Sequence, residues 1–151
     1  MKSKLWALAG ALLLSTGAHA QTAPGQVPFQ GTVTNLCAFL PGTGGTLKLT
    51  DNATVLTSRT SQSDAGSISA LVTGGQFKVT TVAPDAFVPA LTPATFRAWH
   101  TVGGDTKDGA SPHTLPVGTT PITVDLEATA TGGVFRAGAY VATVTVRCEA
   151  T

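Results

Sequence analysis

Every second side chain from residue 140 to residue 148 is apolar. Tyr140, Ala142, Val144, Val146 and Cys148 share one phase, while Thr143, Thr145, Arg147 and Glu149 share the other. Strict alternation of this length belongs to a strand with one buried face, whereas helical faces recur every 3.6 residues. The same pattern runs through Ile122, Val124, Leu126 and Ala128 against Thr123, Asp125, Glu127 and Thr129. Between them, residues 131–138 carry the glycines of a hairpin-like connection. Weaker strands are predicted over residues 47–50, 53–57, 68–73, 77–83 and 95–102. Pro41-Gly42-Thr43-Gly44-Gly45, Gly74-Gly75, Pro84-Asp85 and Gly103-Gly104-Asp105 supply turn chemistry between them. Nearer the start, Val27, Phe29, Gly31, Val33, Asn35, Cys37 and Phe39 again fall in one phase. No helical pattern of useful length follows Gln21. Seven or eight short strands predict an all-β chain, a single antiparallel β-sandwich.

Composition narrows the classes of function. The 151 residues include 26 Thr, 17 Gly and 9 Pro, which favour strands and turns over helices. With 42% hydrophobic and only 11% charged residues, the chain is neither disordered nor strongly charged. A net charge of +1 gives no basic surface with which to displace counterions from a nucleic acid. The length suits one domain.

The first twenty residues have the layout of a secretory signal. Lys2 and Lys4 precede an apolar run over residues 5–14, and Ala18-His19-Ala20 forms a small-x-small cleavage site before Gln21. About 20 apolar residues are needed to span a bilayer, so the run is too short for an anchor, and no stable membrane insertion is expected after cleavage. Removal of the leader leaves seven basic against eight acidic residues, a net charge of −1. In an oxidising compartment the two cysteines, Cys37 and Cys148, are expected to form a disulfide. Both share a phase with apolar neighbours, as an inward-facing bridge requires.

Little in the sequence carries chemistry. There is no nucleophile elbow, phosphate loop or zinc-protease motif, and no catalytic residue, metal site or cofactor is expected. His100 is placed on a strand as a surface or core residue, and His113 in a loop between Pro112 and Thr114. Residues 104–109 offer only Asp105 and Asp108 with Lys107 between them, a solvated turn rather than a calcium loop. Asn52-Ala53-Thr54 matches a glycosylation sequon. Trp99, the one tryptophan after the leader, is expected to pack in the core.

Two segments together resemble the bacterial chaperone–usher pilus subunits and their spore-coat-U-like relatives. Val27-Pro28-Phe29-Gln30-Gly31-Thr32-Val33, with Cys37 close behind, is similar to their opening. Phe135-Arg136-Ala137-Gly138-Ala139-Tyr140, then Thr143-Val144-Thr145-Val146, looks like their final strand. The resemblance implies an immunoglobulin-like sandwich lacking its last strand, with residues 21–30 as an extension and residues 31–151 as the domain. It implies a structural role in a surface pilus or fimbria, passing through the periplasm to the cell surface. The partners would be a periplasmic chaperone and then neighbouring subunits, each inserting a strand into the open groove. Val27 and Phe29 would be the donor-strand residues, and Tyr140, Ala142, Val144 and Val146 would line the groove.

The cysteine spacing constrains that picture. Strands separated by an inserted strand lie about 9–10 Å apart, whereas a disulfide needs Cα atoms within roughly 7 Å. The bridge must therefore lie beyond the end of an open groove, or its two strands pair directly and the sandwich is complete. A self-complete sandwich acting as a secreted binding or adhesion module is the alternative.

Overall fold

The computed structural model describes residues 28–151, so the segment expected to be a leader and Val27 lie outside the described residues. The folded unit is Thr32–Thr151. Its described residues contain ten strands and no helix, and every strand pair is antiparallel.

The organising element is β9 (Gly118–Ala130), where Thr120, Ile122, Leu126 and Ala128 are buried between exposed or half-buried neighbours. One edge of β9 pairs along its length with β6 (Ala94–Val102). The other edge is shared by two strands in tandem: β4 (Gly66–Thr73) covers residues 118–124, and β3 (Val55–Thr57) covers residues 127–129. β1 (Leu36–Thr43) lies outside β4, β2 (Lys48–Leu49) outside β3, and β7 (Asp105–Asp108) outside β6. Three further strands form a second sheet in the order β10 (Thr145–Ala150), β5 (Phe77–Val82), β8 (His113–Leu115).

Where β4 stops and β3 begins, the backbone of β9 needs another partner. Ser58, only 6% exposed, supplies it. Its amide donates to the Leu126 carbonyl at 3.0 Å, its Oγ accepts from the Leu126 amide at 3.0 Å, and its hydroxyl donates to Asp125 at 2.7 Å. Ser58→Ala is expected to leave the buried Leu126 amide without a partner and to cost about 1–3 kcal/mol. Urea titration checks this, and a loss under about 0.5 kcal/mol would show that water replaces the hydroxyl.

Local chemistry explains the turns. Gly103 and Gly104 both hold positive φ, at 60° and 87°, in the two-residue turn joining β6 to β7. A primed turn of this kind matches the twist of the flanking strands, and glycine adopts it without steric cost. At Gly42 the reason is proximity: an added Cβ would overlap the Ser67 carbonyl across the irregularity between β1 and β4.

Side chains from both sheets meet in one core. Ala70, Val72 and Ile122 of the large sheet pack with Val79 and Leu115 of the small one, with Cys37, Val146 and Cys148 against them. A second cluster gathers Leu56, Phe87, Ala128 and Phe135, with Phe96, Tyr140 and Ala142 around it. The Phe87 ring lies 4.8 Å from Phe96 and 5.0 Å from Tyr140 between centroids, both edge-on, as the ring quadrupoles favour.

Three expectations need correction. Residues 105–108 are a strand rather than a solvated turn, because Thr106, Lys107 and Asp108 pair with β6. His113 lies on β8 rather than in a loop, with Leu115 in the core beside it. The strand expected over residues 140–148 is paired only from Thr145 onward, with an isolated bridge at Val141. Trp99 is buried as expected, at 9% exposed, although it packs in neither of the two central clusters. It shares its phase with Arg97 and lies opposite Asp108 and Asp125, on the outer face of the sheet. There the guanidinium groups of Arg59 and Arg97 stand 4.6 and 5.0 Å from its ring centroid and cover it. Arg97 also pairs with Asp108 at 2.8 Å, and that hydrogen bond holds the Asp108 carboxyl below its ordinary range.

Candidate functional site

Among the described residues β10 is hydrogen-bonded on one edge, to β5, and β1 on one edge, to β4. No ladder joins β1 to β10 among the described residues. The two strands belong to different sheets, and between the chain segments that continue them lies a groove of about 750 Å³. One wall is formed by Tyr140, Ala142, Val144 and Val146, and the other by residues 42–47. Ile68, Val124 and Leu126 lie along the groove between the walls.

The alternation in the sequence builds the first wall. Tyr140, Ala142, Val144, Val146 and Cys148 are all half-buried, while Val141, Thr143, Thr145, Arg147 and Glu149 are exposed. The inward phase of this wall is half-buried throughout, whereas β9 buries Thr120, Ile122, Leu126 and Ala128 and leaves Val124 half-buried beside the groove. Residues 142–144 have no ladder partner among the described residues. Tyr140 is fixed at the end of this wall: its hydroxyl donates to the Arg136 carbonyl at 2.8 Å and lies 2.9 Å from Thr92 Oγ1.

The disulfide sits at one end of the groove. Cys37 and Cys148 are bridged with their Cα atoms 6.4 Å apart, too close for a strand to pass between them. Neither cysteine lines the groove, which opens away from the bridge toward Tyr140 and Leu47. The bridge thus lies outside the groove, and among the described residues no ladder pairs β1 with β10.

Chemically the groove offers apolar contacts, hydroxyls and unpaired backbone groups. Its lining contains no charged side chain, histidine or cysteine. No cluster of three or more metal-ligating side chains occurs among the described residues. His100 and His113 lie away from the groove, in contact with each other. Asn52 occupies an exposed turn between β2 and β3 and accepts a hydrogen bond from Thr50 Oγ1 at 2.7 Å. Of the two residues expected to donate, Val27 lies outside the described residues and Phe29 is 93% exposed.

The chain matches no protein-family model, no curated protein and no solved structure.

Proposed function

We propose that this chain is a structural subunit of a bacterial surface fibre, and that each subunit's groove receives an extended segment from its neighbour. The observation that carries the proposal is the groove between β1 and β10, open along the edge of β10 and free of charged side chains. An added strand would satisfy the free backbone groups of that edge, and its alternate side chains would enter the apolar floor. In this reading the two sheets form an immunoglobulin-like sandwich that lacks one strand. The Tyr140 hydroxyl bonded back to the Arg136 carbonyl supports it, since such tyrosine corners precede a late strand in immunoglobulin-type sandwiches.

The donor would be the segment around Val27 and Phe29, whose phase presents apolar side chains to one side. A periplasmic chaperone would fill the groove before a neighbouring subunit does. In the self-complete alternative Phe29 would be packed within its own sandwich.

Protein recovered from the surface and run in SDS without heating tests the proposal. A ladder of oligomers that collapses to one band on boiling is the expected result, because a strand buried along its length dissociates slowly. Both cysteines are consumed within the chain, so intermolecular disulfides do not produce the ladder. A single monomer band before heating would overturn the proposal.

A further inference from the structure

On the margin of the fold formed by β5, β6, β7 and β8, two histidines are buried against each other. His100 of β6 is fully buried, and His113 of β8 is 7% exposed. Their ring centroids are 5.0 Å apart at 79°. Each ring has one nitrogen engaged across the gap between the sheets. His100 Nδ1 lies 3.2 Å from Thr81 Oγ1 of β5, and His113 Nε2 lies 2.9 Å from Asp105 Oδ2 of β7. The remaining nitrogens, His100 Nε2 and His113 Nδ1, are buried without a partner. Backbone bonds continue the contact, from the Thr81 amide to the Gly109 carbonyl at 2.8 Å and from the Gly109 amide to the Ala98 carbonyl at 2.9 Å.

We propose that the His100–His113 pair is an acid-sensitive clasp. With both rings neutral it holds the two sheets together along this margin, and protonation releases β7 and β8 while the disulfide keeps the opposite margin closed. The geometry gives the reason. A proton added to His100 has no carboxylate beside it, whereas Asp105 lies against His113 on the other side of the pair. The charged groups around the pair all come from β7, namely Asp105 against His113 and Lys107 directly opposite His100. The Lys107 ammonium donates to the Pro112 carbonyl at 2.9 Å. β5 presents Thr81 and Val79 to the rings, and β9 presents Val124, none of them charged. Burial foremost, then the positive charge of His113 and of Lys107, holds His100 below the ordinary imidazole range.

The sign of the effect follows from linkage. The unfolded chain takes up a proton on His100 near pH 6.5, whereas the folded chain resists it. Stability is therefore complete above about pH 6.5 and declines as the pH falls below it. One such group lowers the folding equilibrium constant by up to tenfold per pH unit, or up to about fifteenfold between pH 6.5 and 5. Ordinary carboxylates titrate below this window, and the only histidines after the leader are these two.

Amide hydrogen exchange at pH 7 and pH 5, corrected for intrinsic rates, tests the clasp on the oxidised protein. The expected result is loss of protection in β7 and β8 at pH 5, with β1, β4 and β9 unchanged. In His100→Leu, which removes the buried ionisable ring, the difference between the two pH values should disappear. Should that variant not fold, the imidazole resonances of the unmodified protein decide the matter: His100 should stay neutral down to the opening transition. Protection that is equal at both pH values, or a His100 ring that titrates near pH 6.5 in an unchanged fold, would overturn the proposal.

Discussion

Replacing both cysteines, as Cys37→Ala/Cys148→Ala, is expected to lower the stability of the fold by about 4–5 kcal/mol. The bridge spans a sequence separation of 111, and the chain-entropy model assigns a closed loop of that size about this value. Domains are stable by only about 5–15 kcal/mol, so the variant should approach the limit of folding. At roughly 3–5 °C per kcal/mol for a domain of this size, the melting temperature should fall by about 15–20 °C. The denaturant slope should rise, because an unfolded chain without the ring exposes more surface. Calorimetry and guanidinium titration provide both numbers. A fall in melting temperature below about 5 °C would mean that contacts other than the bridge hold β1 to β10.

Phe29→Asp is expected to abolish oligomers while leaving the monomer's melting temperature within about 1–2 °C. In a received strand the ring would gain about 1.5–3 kcal/mol from burial. A carboxylate in the same pocket would be desolvated without a partner at a cost of several kcal/mol. If Phe29 gains its burial only in a neighbouring subunit, the monomer should be indifferent, because exposed positions change stability by about 0.5 kcal/mol or less. One variant measured twice, by thermal melt and by unheated gel, separates the two readings of the fold. A sharply destabilised monomer would place Phe29 inside its own domain and remove it as a donor. Unchanged oligomers would show that the groove is filled by some other segment.

Phase was the most legible property of the sequence, and neighbourhood the least. Alternation correctly assigned the inward residues of β9 and those of the wall from Tyr140 to Val146, because a half-buried strand needs it. It could not say that the edge of β10 would be left open, since a single strand's pattern does not name the strand beside it. β7 was missed because Asp105-Thr106-Lys107-Asp108 has no apolar phase, and only the Gly103-Gly104 turn announced a hairpin. β8 was too short to display a period. The signal for the histidine clasp was present in Ala94, Phe96, Ala98, His100 and Val102, one phase in which His100 is the only polar member. The same phase puts Trp99 beside Arg97 and Thr101 on the outer face, where Arg59 and Arg97 cover it, so its burial was legible but the cover that buries it was not.

The position of the bridge also sets the path of mechanical force through the chain. A pull applied to the segments before Cys37 and after Cys148 passes from one to the other through the sulfurs, and nearly the whole fold hangs from that link as an unloaded ring. Stretching the oxidised protein from its ends should therefore give no unfolding event from the strands between the two cysteines. Once the bridge is reduced, the same pull can extend the enclosed chain. At about 3.3–3.6 Å per residue over a separation of 111, roughly 370–400 Å of hidden length is then released.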